Sequence, residues 1–193
     1  MNRKQFRLVV GLGNPGKLYS ATRHNIGFMV INALAKKYSI PVEKKKSDVL
    51  FGQGKIDDST ILLAKPMAFM NRSGPPIRRL VEYFGISGEE IVVIHDDIDL
   101  AFERLKIKMK GGHGGHNGIR SMTGAFGNGD FARIRIGIGR PEGPREVTDY
   151  VLGKFSSEEN EKLDRVISMA GDAAVTILRD GIQEGMKIFN KHN

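Results

Sequence analysis

Cysteine is absent from this chain of 193 residues, and its absence excludes several kinds of chemistry. A protein without thiols has no disulfide bond, no thiolate-bound metal and no cysteine nucleophile. The sequence also lacks the run of about 18 apolar residues that marks a membrane-spanning helix. We therefore expect a soluble globular protein, and the lack of cysteine makes the cytoplasm its expected compartment.

Acidic residues are fewer than basic ones: the chain has 22 Asp and Glu and 30 Lys and Arg, which give a net charge of +8 at pH 7. Such an excess is typical of proteins that bind a polyanion, most simply a nucleic acid, although many basic proteins bind none. The sequence has no long basic tail, so an anion-binding site must lie on the folded surface. The short run Lys44-Lys45-Lys46 is interpreted as a solvated loop.

Strand and helix patterns alternate along the chain, which predicts a single α/β domain over residues 1–193. We expect a twisted mixed β-sheet with helices on both faces, because the apolar run "IVVIH" is typical of a strand covered on both sides. The strands are predicted at residues 6–11, 50–56, 60–64, 91–95, 105–110 and 132–139. The helices are predicted at residues 22–38, 75–84 and 119–126, followed by a long helix after a capping box at 156–159 and a shorter final helix.

The stretch "GLGNPG" at residues 11–16 matches the G-x-G-x-x-G pattern of dinucleotide-binding enzymes. In those enzymes a helix begins inside the motif, and an acidic residue that holds the ribose follows about 20 residues later. Here Pro15 interrupts the motif, and the helical pattern begins only near Thr22. The next predicted strand ends at residue 56, far beyond the place for that acid, and turns directly into a hairpin. The context therefore disfavours a dinucleotide site and predicts a loop over residues 16–21.

The loop after these glycines carries polar side chains that suit a carbonyl substrate, namely Asn14, Tyr19, His24 and Asn25. His24 lies at the start of a predicted helix, where the partial positive charge of the helix end disfavours the imidazolium ion. We therefore predict that His24 is available as a neutral base at physiological pH. The alternative is a structural histidine that fills or caps the turn.

Polar clusters follow two other predicted strands. The sequence "HDDIDL" comes at the end of "IVVI", and groups just beyond the carboxyl end of a strand face the ligand crevice in an open α/β sheet. A carboxylate there can fix the tautomer of a histidine and stabilise its protonated form, as in hydrolytic triads, or it can cap the next turn. The other cluster, "MNRSG" at residues 70–74, contains Asn71, which taken alone indicates a turn residue.

The sequence "KGGHGGHNG" at residues 110–118 combines glycines with two histidines, His113 and His116. Glycine lets backbone amides approach a ligand closely, and Asn117 precedes a predicted helix. Together with His95 and Asp96, the two histidines raise the alternative of a metal-dependent hydrolase. Their spacing is not helical and no cysteine supports it, so the prediction is that the site holds no metal.

Cations alternate with apolar residues in two predicted strands, "RLKIKMK" and "ARIRIGIGR". Alternation of this kind places the apolar side chains on one face of a strand and the charged ones on the other. If the strands are neighbours, one cationic stripe forms near the glycine-rich loop from Lys106, Lys108, Lys110, Arg133 and Arg135. Such a stripe favours phosphate binding, although two half-exposed strands with ordinary solvated faces are the alternative.

Taken together, these stretches resemble the bacterial-type peptidyl-tRNA hydrolases. The matching segments are "VGLGNPGKLYSATRHNIGF", "KPMAFMNRSG", "HDDIDL", "GGHGGHNGIRS" and "RIRIGIGRP", in the order and at the spacing of that family; "YVLGKFS" also fits. The resemblance implies an enzyme that hydrolyses the ester between a peptide and the 3′ ribose of tRNA, and so recycles tRNAs dropped prematurely from the ribosome. It implies the acceptor end of peptidyl-tRNA as partner and no cofactor, and we expect a monomer.

By matching positions, the resemblance implies that His24 is the general base that activates water and that Asp96 supports its basic form. Asn14 is expected to help discriminate an N-blocked peptidyl group from a free aminoacyl group. Lys108 and Arg135 are expected to bind the 5′-phosphate of the tRNA. The other implied residues line the substrate cleft, namely Tyr19, Phe69, Met70, Asn71 and Asn117.

Three departures from the family pattern affect the local shape of the cleft but remove no proposed catalytic group. Lys110 and Ala68 stand where relatives often have glycine and threonine, and Pro75-Pro76 follows "MNRSG". Ester hydrolysis needs a base for water and donors for the oxyanion, and it needs no metal. A serine nucleophile is unsupported, because no G-x-S-x-G elbow is present. A non-catalytic RNA-binding module is the competing hypothesis, and it rests on the charge alone.

Overall fold

A seven-stranded mixed sheet occupies the centre of the computed structural model, which describes residues 6–141, 143 and 146–191. The strands are β1 (Phe6–Gly11), β2 (Lys44–Lys46), β3 (Val49–Ile56), β4 (Ser59–Pro66), β5 (Ile91–Asp97), β6 (Leu105–Lys108) and β7 (Ala132–Gly137). They lie side by side in the order β2-β3-β4-β1-β5-β7-β6. The predicted α/β class with a mixed sheet is confirmed, and each predicted strand is present with its ends shifted by at most two residues.

Parallel pairing joins the middle of the sheet, where β1 pairs with β4 and β5, and β5 pairs with β7. The outer pairs β2–β3, β3–β4 and β6–β7 are antiparallel, and β3 and β4 form the predicted hairpin. Because β1, β4, β5 and β7 run in the same direction, their carboxyl ends lie at one edge of the sheet. The loops that follow these strands can therefore meet there.

The α-helices of the described chain are α1 (Ile26–Lys37), α2 (Gly74–Phe84), α3 (Asn117–Phe126), α4 (Val147–Val151), α5 (Ser157–Asp180) and α6 (Ile182–Phe189). Prolines occupy the first turn of α2, where their missing amide hydrogens are not needed. The predicted capping box precedes α5, because Ser156 and Glu159 each accept a hydrogen bond from the other's backbone amide. Within the described residues, no helix is long and apolar enough to cross a membrane.

Each face of the central sheet packs against its own layer of helices. Val9 and Ile94 belong to one buried cluster with residues of α1 and α5. Leu8 and Val93, their neighbours along the strands, belong to a second cluster with residues of α2 and α3. Alternate side chains of a strand point to opposite faces, so the runs Leu8–Val10 of β1 and Ile91–Ile94 of β5 are apolar without interruption because both of their faces are covered.

The end of the sheet formed by β7 and β6 is covered on one face only. The first cluster buries the apolar residues of both strands, namely Leu105, Ile107, Ala132, Ile134 and Ile136. No described residue of either strand belongs to the second cluster. On that opposite face, the register pairs Lys106 with Arg135 and Lys108 with Arg133. The two strands are therefore neighbours with a shared cationic face, as the alternation predicts.

The run Lys44–Lys46 forms the edge strand β2, so its interpretation as a solvated loop is wrong. It pairs with β3 through a turn in which Ser47 and Asp48 have positive φ angles of 50° and 59°. Backbone hydrogen bonds to β3 stabilise this segment, and lysine is common on edge strands because its charge discourages pairing with another chain. Three identical residues carry no hydrophobic alternation that could have predicted the strand.

Helix α1 begins later than predicted, and Thr22 does not cap it. Thr22 is extended, and its hydroxyl donates to the carbonyl of Tyr19 at 2.8 Å. A 3₁₀ turn, Arg23–Asn25, then leads into α1. Residues 16–21 form no strand or α-helix, as predicted. The short helix α4 is absent from the predictions, because a single turn and a half shows too little periodicity to be recognised.

Candidate active site

A cavity of about 830 Å³ lies beside the carboxyl ends of β1, β4 and β5 and extends over the uncovered face of β7 and β6. All ten residues that the resemblance assigns to the site line it, namely Asn14, Tyr19, His24, Phe69, Met70, Asn71, Asp96, Lys108, Asn117 and Arg135. They come from loops and strands spread over most of the chain. The parallel strands bring them together because their carboxyl ends share one edge of the sheet.

Close packing of α1 against β1 sets the position of the loop that carries His24. A Cβ atom on Gly11 would lie 2.2 Å from the carbonyl oxygen of Gly27, in the first turn of α1. Only glycine permits this approach. No helix begins within "GLGNPG", as a pyrophosphate site would require. The first glycine of the motif therefore serves the packing of a helix on a strand.

His24 and Asp96 form a buried, hydrogen-bonded pair in the wall of the cavity. His24 belongs to the 3₁₀ turn before α1, and Asp96 lies near the end of β5. Nδ1 of His24 lies 2.9 and 3.0 Å from the two carboxylate oxygens, so it carries a proton and donates it. In the neutral ring this tautomer leaves Nε2 unprotonated, and the described residues provide Nε2 with no hydrogen-bond partner. Such a nitrogen can accept a proton from a water molecule in the cavity.

His116 is a second histidine on the same carboxylate, and the sequence analysis considered it only as a metal ligand. Its Nε2 lies 2.9 Å from Oδ1 of Asp96. Its Nδ1 accepts hydrogen bonds from the amides of Gly118 (3.1 Å) and Ile119 (3.2 Å) and so caps α3. An Nδ1 that accepts from two amides carries no proton, so His116 is neutral and its Nε2–H donates to Asp96. The signal in the sequence is its position three residues before the predicted start of a helix at residue 119; in the structure α3 begins at Asn117, directly after His116.

The proton affinities of this cluster depend on burial and on the pairing with Asp96. Burial alone would raise the pKa of the Asp96 carboxyl group, but His24 and His116 hold that pKa well below its usual value. Burial lowers the pKa of His24, yet the charge and hydrogen bond of Asp96 outweigh it and raise the pKa above 6.5. The prediction that the helix end disfavours protonated His24 is therefore wrong. A carboxylate in contact with the ring has a larger effect than the partial charge of a helix end.

The metal alternative does not fit the hydrogen bonds of the candidate ligands. His24, Asp96 and His116 have ligand atoms within 4.8 Å of one another, so the spacing alone would admit an ion. A metal on Nε2 of His116 would force the proton onto Nδ1, where two backbone amides already donate. His95 donates from Nδ1 to the carbonyl of Asp96 at 2.6 Å, and His113 lies exposed on the glycine-rich loop. If an ion bound, the amides of Gly118 and Ile119 would lose the acceptor that caps α3.

The side chain of Asn14 is held in one orientation by its neighbours. Asn25 accepts from the backbone amide of Asn14 and donates to its carbonyl, both at 2.9 Å. Oδ1 of Asn14 accepts from the amide of Met70 at 2.7 Å. The Nδ2 amide group of Asn14 therefore remains as a donor on the cavity side, with no partner among the described residues.

Asn117 is oriented in a similar way, since its Oδ1 accepts from Arg120 at 3.1 Å. Its amide hydrogens are left for a ligand, and the side chain is exposed. Tyr19 also lines the cavity and packs edge-on against Phe69 with ring centroids 6.4 Å apart. Phe69 is 56% exposed in spite of its apolar ring, which is typical of a residue at a binding surface. Asn71 lies beside it, exposed in a 3₁₀ turn.

The predicted cationic stripe divides into residues with different functions. Lys108 is exposed, and Arg135 is half-buried and ion-paired with Asp97; both line the cavity. Arg133 is buried and donates to backbone carbonyls on either side of α3, including Gly112 at 2.6 Å and Gly129 at 3.2 Å. Lys110 lies beyond the end of β6 and lines a different cavity. Arg133 therefore holds the glycine-rich loop, and Lys108 and Arg135 are the residues of the stripe that can meet a phosphate.

Helix α4 supplies an apolar wall that the sequence analysis missed. Val147, Val151 and Leu152 line the cavity there. Arg23, the residue before His24, ties the same region to the site: it donates to the carbonyl of Lys154 at 2.7 Å and pairs with Glu159 at 2.6 Å. The cavity thus has a polar side built from β5 and the loops, and an apolar side built from α4.

Comparison with known proteins shows the same family from residue 8 onward. The family model described as peptidyl-tRNA hydrolase matches residues 8–193. The peptidyl-tRNA hydrolase of Syntrophotalea carbinolica is 45% identical over 184 residues, which are 95% of this chain and 96% of that protein. The peptidyl-tRNA hydrolase of Clostridium tetani is 42% identical over 183 residues, which are 95% of this chain and 96% of that protein. The crystal structure of the Acinetobacter baumannii peptidyl-tRNA hydrolase has a TM-score of 0.90 at 37% identity, covering 99% of this chain and 97% of that one.

Proposed function

The chain belongs to the peptidyl-tRNA hydrolase family, and we propose that it cleaves peptidyl-tRNA by general-base hydrolysis with His24 as the base. The bond that breaks joins the carbonyl carbon of the peptide to the 3′ oxygen of the terminal ribose. Its cleavage frees the tRNA for reuse in translation. The observation that carries the mechanism is the His24–Asp96 pair, whose tautomer leaves an unprotonated Nε2 on the cavity side.

In the proposed reaction, Nε2 of His24 takes a proton from water while the water oxygen attacks the ester carbonyl carbon. The electron pair of the carbonyl double bond moves to its oxygen, which gives a tetrahedral anion. As this anion collapses, the bond to the ribose oxygen breaks and the His24 imidazolium returns its proton to that oxygen. The products are the carboxylic acid of the peptide and the 3′-hydroxyl of the tRNA.

Asp96 supports this cycle by stabilising the imidazolium form of His24. The raised pKa of His24 is consistent with that role, because the carboxylate favours the ring with a proton on each nitrogen. His116 cannot take the same role in its present tautomer, since its Nδ1 accepts from two amides. We assign His116 the task of fixing the Asp96 carboxylate through its Nε2–H donor.

Asn14 and Asn117 are proposed to bind carbonyl or oxyanion oxygens of the substrate. Each has its own Oδ1 occupied by a protein donor, so each offers N–H groups and no acceptor to the cavity. Donors of this kind stabilise the developing oxyanion and suit the acyl carbonyl of an N-blocked amino acid. They offer no acceptor to the ammonium group of a free aminoacyl ester. This asymmetry supports the expected discrimination between the two substrates.

We propose that the enzyme also binds the tRNA at a second site, where Lys108 and Arg135 contact the 5′-phosphate. Both residues line the same cavity as His24, on the uncovered face of β6 and β7. The 5′ and 3′ ends of a tRNA meet in the acceptor stem, so one surface can contact both. The aromatic pair Tyr19 and Phe69 then lies at the mouth of the cavity, beside the entering ester.

The test is to follow release of the acyl group from N-acetyl-aminoacyl-tRNA and from the same tRNA with a free amino group. We expect kcat/KM to be at least about tenfold higher for the blocked substrate, because buried donors discriminate strongly between polar partners. Exhaustive chelation should leave the rate unchanged. Salt-sensitive tRNA binding without hydrolysis at any pH would instead identify a non-catalytic RNA-binding module.

A further inference from the structure

One acidic residue, Asp97, lies among the cations on the uncovered face of β6 and β7. Of the described residues that line the cavity, only Asp96 and Asp97 are acidic, and Asp96 is bonded to the two histidines. A negative charge on a surface that binds a polyanion weakens the attraction unless it performs another task there. The position of Asp97 therefore calls for a functional explanation.

Both oxygens of Asp97 are engaged. Oδ1 accepts from the backbone amide of Asp99 at 2.9 Å, which fixes the carboxylate relative to the loop after β5. Oδ2 accepts from Nε of Arg135, on the neighbouring strand β7. The side chain of Asp97 is 9% exposed and that of Arg135 is 18% exposed. A carboxylate anchored to the backbone thus holds the inner edge of a partly buried guanidinium group.

This contact determines which edge of Arg135 is available. With Nε bonded to Asp97, the two Nη groups remain, and the described residues provide them with no hydrogen-bond acceptor. Two adjacent N–H donors from Nη1 and Nη2 can bind two oxygens of one phosphate group. A long arginine side chain that is already held in place loses less conformational freedom when it binds.

We propose that Asp97 is a positioning residue that aims the Nη edge of Arg135 at the terminal phosphate of the tRNA. The inference rests on the proposed function, because it assumes that Lys108 and Arg135 contact the 5′-phosphate. Positioning of Arg135 would explain why an acidic residue lies beside the cations of β6 and β7. The gain from a fixed guanidinium group exceeds the repulsion between the Asp97 carboxylate and the phosphate.

The experiment compares two substrates that differ only at the 5′ end: N-acetyl-aminoacyl-tRNA with its 5′-phosphate, and the same molecule after phosphatase treatment. The measured quantity is the KM for the 5′-hydroxyl substrate divided by the KM for the 5′-phosphate substrate. In the unmodified enzyme we expect a ratio of about ten, the size of one or two charge-assisted hydrogen bonds. In Asp97→Ala we expect the ratio to fall below about three, because the Nη edge of Arg135 is no longer held toward the phosphate.

Three further variants separate positioning from charge. Asp97→Asn keeps an acceptor for Nε but removes the charge, so its ratio should lie between those of the unmodified enzyme and Asp97→Ala. Asp99→Asn is the matched control, since Asp99 pairs with the exposed Arg140 and does not line the cavity. Its ratio should equal that of the unmodified enzyme. Adding Asp97→Ala to Arg135→Ala should not lower the ratio further, because Asp97 acts through Arg135.

The proposal would be overturned if the KM ratio of Asp97→Ala equalled or exceeded that of the unmodified enzyme. A higher ratio would show that Asp97 competes with the phosphate for Arg135. An equal fall in Asp99→Asn would also overturn it, since the effect would then not depend on the contact between Asp97 and Arg135. If Asp97→Ala does not fold, as judged from its thermal unfolding midpoint, the Asp97→Asn variant decides. A ratio of one in the unmodified enzyme contradicts the inference but leaves hydrolysis intact, whereas failure to hydrolyse either substrate contradicts the proposed function.

Discussion

The histidine side and the cationic side of the cavity place charge in opposite environments. On the histidine side, His24 is 8% exposed and Asp96 is 2% exposed, and each carboxylate hydrogen bond comes from an imidazole. On the cationic side, Lys108 is exposed and Arg135 is partly accessible. The same cavity therefore contains one group of charges removed from water and another that remains in contact with it.

This difference in burial suits the two sides to different steps: the histidine side to the proposed hydrolysis and the cationic side to the proposed binding of tRNA. A buried pair interacts strongly and is little affected by salt, so it can set the proton affinity of a base. An exposed cation attracts a phosphate that approaches through the solvent, and dissolved salt weakens that attraction. Changes on the histidine side should thus alter kcat and its pH dependence. Changes on the cationic side should alter KM and its salt dependence.

The strongest test of this separation is His24→Ala. Loss of the general base should lower kcat by at least about 10²-fold, while KM for the tRNA changes little, because the phosphate contacts are retained. Steady-state kinetics with N-acetyl-aminoacyl-tRNA measure both constants. His113→Ala is the matched control, since that histidine lines the same cavity but is exposed, and among the described residues its side chain bonds to the amide of Gly115 alone. Unimpaired turnover by His24→Ala would remove His24 from the mechanism.

Asp96→Asn tests the histidine side of the cavity through the pH dependence of kcat/KM. His24 must be unprotonated to act, so kcat/KM should fall as the pH drops through its raised pKa. Without the carboxylate charge, burial remains and lowers the pKa of His24, so this fall should move to a lower pH. The maximal rate should decrease by about tenfold to 10²-fold, because the imidazolium intermediate loses its counter-ion. An acid limb that stays in place would show that another group titrates.

The smallest expected effects come from Lys108→Ala and Arg135→Ala. Each should raise KM several-fold and leave kcat nearly unchanged, because one phosphate contact is lost without a change at His24. The slope of log KM against log salt should become shallower by about one for each variant. Measurements at several salt concentrations provide this slope. An unchanged slope would place the phosphate elsewhere, and a large fall in kcat would contradict the separation of the two sides.

Much of the site could be predicted from local patterns. The strand "IVVIH" and the acids after it predict carboxylates at the edge of a sheet, and Asp96 lies at that edge. The alternation of cations in two strands predicts a shared charged face, and the register of β6 and β7 confirms it. These predictions succeed because the side-chain period of a strand and the direction of parallel strands follow from backbone geometry.

Other features depend on contacts that no local pattern contains. The role of His116 follows from two amides at the start of α3 and from a carboxylate on β5. Arg133 and Arg135 are two residues apart on one face and both line the cavity, yet the guanidinium group of the first bonds to backbone carbonyls and that of the second bonds to the Asp97 carboxylate. Their alternation is identical, so only their neighbours in space distinguish them.

The sequence by itself determined six of the seven strands and the described α-helices other than α4, the polar residues at the ends of the strands, and the family to which these residues point. Those properties are local, because they depend on periodicity, turn residues and short motifs. The tertiary structure decided the proton affinity of His24, which sits against a carboxylate 72 residues away in the chain. It also decided the neutral state of His116 and the available edge of Arg135. Desolvation and charge pairing act through distance and burial, and neither quantity exists until the chain has folded.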